Sequence, residues 1–544
     1  MPVFSKLLQR FSVFIHWHYR ALLRIFAGVG LILLTVILAW QFYVLPRLDE
    51  YRPWLVQKLE LATGSQIEMG RLSGGWRGIH PFVRVDDFKV RMAGQPGLQL
   101  ASVDADLSWW TLLRGELLFS RLATVSPHLS LRRDAAGAWF VAGFQVKTGA
   151  EKSENRFINW LLAQGTLKIS DGQLSYLDEQ SPAGQQVFSK LDMNITQRFG
   201  FHKFDLSLQP PSALAGALSL SGNWRGNDIG EWRAWSGQLK LDLPRVDLQQ
   251  LSARLPQEAQ WFSQLAGTGG ARASLHFAQA KIEKIDAQLK LNALNMAWPD
   301  APQALYLPVF EGGFIWRDEQ DSQSLRLKAK RIASASGDLC QDCRVDYQRD
   351  AAGQSFDASN ILLDGLGAFS SWRPEQLQDA AMKGKIAKLS AHWQGPWQKA
   401  KIYSAEIEAK ALELALPQQG LPLLGRFDLK AKLDQNTGKA TLSSRDLSLT
   451  MPEQFLEPLH FDRAGFDVSW QRAAKGWKLN VPQAELVNAD THLRASAQYI
   501  WPGKGLGNLN LKGDIRELNA KRAYLYLPRA VGDETLAWLK TSLL

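Results

Sequence analysis

The chain has 544 residues, enough at roughly 150 per domain for three or four domains or one long repetitive fold. With 46% hydrophobic and 21% charged residues, 43 Gly and 23 Pro, it is neither collagen-like nor of low complexity, and most of it must fold. Its 63 Lys and Arg against 53 Asp and Glu leave a net +10; Lys6, Arg10, Arg20 and Arg24 supply four of those charges, and the rest alternate with acids as in KIEKIDAQLK (281–290), a solvated surface that argues against a nucleic-acid partner.

From Ile25 to Leu45 the chain reads IFAGVGLILLTVILAWQFYVL, 21 residues without a charge. As a helix this spans roughly 30 Å, one hydrocarbon core, so the sequence predicts a transmembrane helix. No small-residue cleavage site follows it, which makes it an uncleaved anchor. Four cations upstream against a mixed Arg47, Asp49, Glu50 and Arg52 downstream place the N-terminus in the cytoplasm and the bulk outside. Trp17 and Tyr19 on one side, and Trp40 and Tyr43 on the other, fit the aromatic belts. Leu48, Tyr51, Leu55 and Leu59 then recur at helical spacing, with Pro53 near the first turn, and stop at Gly64. The expected organisation is a basic tail (1–24), a membrane helix (25–45), a juxtamembrane amphipathic helix (46–64) and an external region (65–544).

Beyond Gly64 the period becomes two: VRVDDFKV (83–90), LSLR (129–132), TLKIS (166–170), QLSYLD (173–178), KFDLSLQ (203–209), ALSLSG (217–222), QLKLDL (238–243), DAQLKLN (286–292), SLRLKAK (324–330), RFDLKAKLD (426–434), ATLSSRDLSLT (440–450) and THLRASAQYI (491–500). Such alternation predicts a sheet with one apolar and one polar face. DAAG (134–137), DQNTG (434–438) and SDGQ (170–173) read as turns joining strands, so successive strands should pair antiparallel in a long meander. Helical patterning is confined to short pieces such as RFINWLLAQ (156–164) and LQQLSARL (248–255), which disfavours a βαβ arrangement. KTGAEKSEN (147–155) reads as a flexible loop. Trp76-Arg77-Gly78, Trp224-Arg225-Gly226 and Trp393-Gln394-Gly395 recur where strand runs meet turns.

Catalytic chemistry is not visible. The nine histidines are scattered, only His16 and His18 being close; there is no G-x-S-x-G, P-loop or HExxH pattern; and Gly503, Gly505 and Gly507 follow Pro502 as a turn. Asp86-Asp87 and Asp533-Glu534 are solvated pairs, Asn194-Ile195-Thr196 is a weak glycosylation sequon, and no metal or cofactor is implied. Cys340 and Cys343 lack the thioredoxin-like context of a redox CxxC and read first as a small disulfide bracing a loop or turn, with a pair of free thiols as the alternative.

Exposing an apolar sheet face to water costs about 25 cal/mol per Å². A sandwich or barrel would seal it; an open trough would fill it with lipid chains. About 30 strands spaced roughly 4.8 Å apart extend about 140 Å, which suits a conduit. LPRLDEYRPWLVQKLELATGSQIEMGRLSGGWRGIHPFVRVDDFKV (45–90), PEQFLEPLHFDRAGFDVSWQRAAKGWKLNVPQAELVNADTHLRASAQYIWPGKG (452–505) and AYLYLPRAVGDETLAWL (523–539) resemble the AsmA-like envelope proteins, specifically the YhdP branch. The resemblance implies an inner-membrane protein of Gram-negative bacteria, similar to chorein-type bridge proteins, that moves phospholipid toward the outer membrane. Family members continue for several hundred residues past the Tyr-Leu-Pro (526–528) and Trp-Leu (538–539) phrases, so the chain reads as an N-terminal portion, and contacts with the outer membrane or envelope proteins fall to the part beyond it.

The fold expected is therefore mainly β: a transmembrane helix, then an antiparallel meander curled into an open apolar groove. Leu167, Ile169, Leu206, Leu208, Leu218, Leu220, Leu239, Leu241, Leu289 and Leu291 are expected to line the groove, and Leu48, Tyr51, Leu55 and Leu59 its entrance. A one-residue slip in any strand would flip its face. The second reading is a non-enzymatic envelope scaffold with a closed β core, assisting outer-membrane assembly and permeability.

Overall fold

The period-two runs all lie in strands and account for twelve of the twenty-nine among the residues that the computed structural model describes: 3–92, 95–146, 155–181, 183–254, 265–297, 303–372, 381–396, 400–415, 423–450, 455–504 and 507–542. Most of the predicted loop KTGAEKSEN, residues 147–154, and the side chains of His16, Trp17 and His18 fall outside them. The chain forms two units, Met1–Pro211 with Ser219–Gly237, and Ser212–Leu218 with Gln238–Leu544.

The first unit begins with one long apolar helix, Val3–Ala39, that starts well before Ile25 and so takes the basic segment into its first turns. It loosens into a π turn at Trp40–Val44 and a 3-10 turn at Leu45–Tyr51, where Arg47 leaves helical geometry (φ −115°) and Pro46 removes a donor. A second helix, Arg52–Thr63, stops at Gly64, which takes the left-handed φ of 68° that a side chain would resist. Leu48 and Tyr51 therefore lie on the 3-10 turn, and Leu55 and Leu59 on the following helix.

Two expectations fail in this unit. SDGQ (170–173) is no hairpin: Thr166–Asp178 is one strand, bulged at Asp171 (φ 50°). Nor are all neighbours antiparallel, because this strand pairs in parallel with Phe119–Val125 and with His128–Arg133. The hairpin Trp139–Val141/Phe144–Val146 and the helix Arg156–Leu162 make the crossover, so one βα connection exists after all. The reason is buried Pro127, which cannot donate to a ladder and breaks the run 119–133 opposite Asp171. Gly172, bare of a Cβ, lets the bulge pack on the proline ring, which a side chain there would meet at 3.3 Å. A kink in one strand thus faces a break in its neighbour.

In the second unit the register lines up side chains across fourteen strands. One row runs Leu275, Ile285, Trp316, Leu325, Tyr347, Phe356, Ala391, Ala405, Leu433, Gly438, Trp470, Leu479, Tyr499, Leu509, without a charged residue. A second runs from Gly269 through Leu291, Phe310, Ile332, Cys340, Ile361, Ile386 and Ala409 to Leu429, Leu442, Phe466, Ala484, Ala495 and Gly513. The row one residue away, on the other face, reads Ser274, Asp286, Ile315, Arg326, Asp346, Asp357, Ser390, Glu406, Lys432, Lys439, Ser469, Asn480, Gln498, Asn510. Gly438 is required in the first row because a Cβ there would stand 2.2 Å from the Trp470 ring.

The apolar spacing changes from two to three inside several of these strands, at Leu291/Leu294, Cys340/Cys343, Ile386/Leu389 and Ala409/Leu412. Each step holds a residue of positive φ or a register shift: Ala293 (50°), Asp342 (52°), the slips flanking Ile386, and Ala411 (50°). A bulge adds one residue, bends the strand and restores the parity of the residues beyond it. Cys340 and Cys343, expected to brace a loop, instead lie inside the strand Gly337–Asp350 and are joined by a disulfide across its bulge, their Cα atoms 5.5 Å apart. Beyond Ala293 and Ala411 the strand ends pack into closed clusters: Leu294 and Leu307 with Val246 and Leu248, and Leu412 and Leu414 with Phe427, Leu447 and Phe461.

The turns DAAG and DQNTG join antiparallel strands as expected. In the second, the Asp434 carboxylate accepts from the amides of Asn436 and Thr437, both at 2.7 Å. All three Trp-x-Gly phrases end strands, with Gly78, Gly226 and Gly395 at φ of 61°, 148° and 81°. Gly503 (φ 90°) turns the chain between Thr491–Trp501 and Asn508–Leu518; Gly505 lies outside the described residues.

Candidate functional site

The juxtamembrane helix lies over the apolar face of the first unit's sheet, and between them is a cavity of about 420 Å³. Leu48, Tyr51, Leu55 and Leu59, the four residues singled out by helical spacing, line one wall together with Trp40 and Val44. The other wall is strand residues: Leu72, Val83, Val85, Phe88, Val103, Ala105, Phe119 and Leu122. Apart from the Tyr51 and Trp rings, the single polar side chain in the lining is Thr111, whose hydroxyl already donates to the Leu118 carbonyl at 2.8 Å. The indole Nε1 of Trp40 is buried and donates to no group among the described residues. Such a cavity offers dispersion and shape, with no charge to hold an ion or activate a nucleophile.

The strand wall is not among the residues that helical spacing picks out, although the sequence carries one signal of it. Val83 and Val85 stand at odd positions and Phe88 and Val90 at even ones; the switch is at Asp87, whose φ of 51° turns the strand, and all four pack in one cluster.

The expected groove residues lie on several strands, and none is exposed. Ile169, Leu208 and Leu291 are buried; Leu167, Leu206, Leu218, Leu220, Leu239, Leu241 and Leu289 are half-buried. Leu167 and Ile169 belong to rows of the first unit that are apolar but for Thr124, Val83–Ala105–Leu122–Leu167–Ile195–Phe204 and Val85–Val103–Thr124–Ile169–Met193–Leu206. Leu289 continues a row through Ala271, Gly312, Ala329 and Cys343, and Leu291 sits in the long row given above. Most members of the two long rows are half-buried, as are Phe314, Leu327, Val345 and Leu389 of the adjoining row Ala287–Phe314–Leu327–Val345–Ala358–Leu389.

Charge is kept to the opposite face. Lys432 donates to Glu406, with Lys388 beside it, and the Glu406 carboxyl is held below its usual range. Asp428 is likewise held down, first by the Lys410 ammonium at 2.8 Å and then by the Ala411 amide at 3.0 Å. Among the described residues no group of three or more His, Cys, Asp or Glu could hold a metal ion.

A family model described as YhdP protein matches residues 2–544. The chain belongs to the YhdP family. It is 27% identical over 542 residues to the intermembrane phospholipid transporter YhdP of Escherichia coli (strain K12), a match covering 92% of this chain and 40% of that relative. The chain thus spans about 40% of the length of the YhdP relative it matches. No solved structure matches.

Proposed function

We propose that the chain is a non-enzymatic phospholipid conduit, anchored in the inner membrane of a Gram-negative envelope by its apolar helix, with the N-terminus cytoplasmic and the bulk periplasmic. Acyl chains occupy the juxtamembrane cavity and the apolar sheet faces, and phospholipid moves along them toward the outer membrane. Leu48, Tyr51, Leu55 and Leu59 shape the entrance; the ten aliphatic residues from Leu167 to Leu291 line the path. The observation that carries this reading is the pair of apolar rows crossing fourteen strands with most members only half-buried. An unsealed face of that length is costly in water, and acyl chains relieve the cost without directional bonds, so a chain can slide. The relative's name, an intermembrane phospholipid transporter, points the same way. In the cavity, an ester carbonyl is an acceptor for the Trp40 indole.

Native mass spectrometry of the gently extracted chain tests the proposal. Bound phospholipid is expected, and Leu220→Asp or Leu241→Asp should remove it while circular dichroism keeps its β signature. A lipid-free parent would overturn the conduit and leave the envelope scaffold.

A further inference from the structure

Three apolar side chains in the first unit stand out into solvent at turns: Ile79 is 73% exposed, Trp110 56% and Phe199 97%. Single exposed apolar residues are ordinary; the placement of these three is not. Arg77 pairs with His80, closing the hairpin that carries Ile79. Phe82 pairs with Asp106, so the neighbouring strand ends beside that hairpin and leads into the short helix Trp110–Arg114. Leu122 pairs with Leu167 and Leu167 with Ile195, which brings the pair Arg198–Phe201, and with it the tip residue Phe199, to the same end of the sheet. The long apolar helix arrives at this end: the Trp76 indole donates to Gln41 at 2.9 Å and packs edge-on against Trp40 at 6.5 Å. The DAAG turn, at the far end of the same strands, is itself small and polar; beside it Trp139, 39% exposed, lies under Arg133, and no apolar side chain there stands out as far as the three at this end.

Two further features mark the rim. Phe199 occupies the first central position of a two-residue turn with φ 50°, followed by Gly200 at 77°, a conformation for which Asn-Gly is the natural pair. A bulky ring is held there against its backbone preference. Arg114 lies over the Trp110 ring at 5.8 Å, and Arg47 over Tyr43 at 5.0 Å, each presenting an apolar ring with a cation at its tip.

We propose that this rim is seated in the interfacial layer of the bilayer that the N-terminal helix crosses, with Ile79, Trp110 and Phe199 wedged among the headgroups and Arg114 and Arg47 at the phosphates. The unit is then held to the membrane at several points, and its cavity is fixed in tilt and height. The inference rests on the helix being a membrane anchor.

Nitroxide labels at Ile79→Cys, Trp110→Cys and Phe199→Cys, in the full chain reconstituted in nanodiscs of phosphatidylethanolamine and phosphatidylglycerol, test it; the native cysteines are paired, so each new thiol is the labelling site. Labels at Ile32→Cys and Ala136→Cys mark lipid and water. The expected result is that oxygen outcompetes a nickel chelate at all three rim positions, placing them roughly 5–10 Å into the headgroup boundary. Rim labels as aqueous as Ala136, with Ile32 deep in lipid, would overturn the inference and leave the anchor standing. An aqueous Ile32 label would remove the anchor and the inference together.

Discussion

Around the juxtamembrane cavity Val85 is 5% exposed and Leu72 6%, whereas on the fourteen-strand face Leu325 is 37% exposed and Leu509 59%. Both regions come from the same alternation of apolar and polar residues. They are set apart by the cover: in the first, helix Arg52–Thr63 lies across the strands; in the second, clusters such as those of Phe427 with Phe461 and of Ala329 with Cys340 and Cys343 are buried, while many other members of the face are only half-buried. Alternation therefore specifies an apolar face, and a separate element decides whether that face becomes a core or remains available.

A charge should separate the two regions most strongly. Val85→Asp would leave a carboxylate unpaired among Leu72, Val83 and Val103, costing about 3–5 kcal/mol. At half-buried Leu389 the same substitution leaves the carboxylate within reach of water, and about 1 kcal/mol is expected. Chemical denaturation of both variants checks the contrast; equal losses would mean that the fourteen-strand face is an ordinary core.

Removing the cross-bulge disulfide comes next. Cys340→Ala with Cys343→Ala should cost about 2 kcal/mol by the loop-entropy relation, and hydrogen exchange should accelerate in strands 322–334, 337–350 and 353–362 while strands 80–92 and 95–107 stay unchanged. Faster exchange in both sets would mean that the bulge acts on the whole molecule.

The smallest effect is electrostatic and belongs to the polar face alone. The Asp428 carboxyl is held below the ordinary value of 3.8 by Lys410, so its folded pKa lies under its unfolded one. The stability it adds is therefore present above about pH 4 and disappears as the pH falls through the depressed value. With its side chain 41% exposed, the contribution stays below about 1 kcal/mol. Thermal melts of the parent and Asp428→Asn should differ at pH 6 and draw together as the pH falls below about 4.

Twelve of the strands, the two short helices at Arg156–Leu162 and Leu248–Ser252, the stop at Gly64 and the helical spacing of Leu48, Tyr51, Leu55 and Leu59 were legible in the sequence, because each depends on a local period or a single turn residue. Local order cannot say which strands meet. The parallel pairing of Thr166–Asp178 depends on Pro127, far upstream in the chain, and the positive-φ positions Asp87, Ala293 and Ala411 are visible in the sequence as a step from two to three whose meaning appears only when the neighbouring strands are in place. The covering of Val85 and the openness of Leu389 were likewise decided by tertiary structure, since burial belongs to whatever packs on a face and not to the residues that make it.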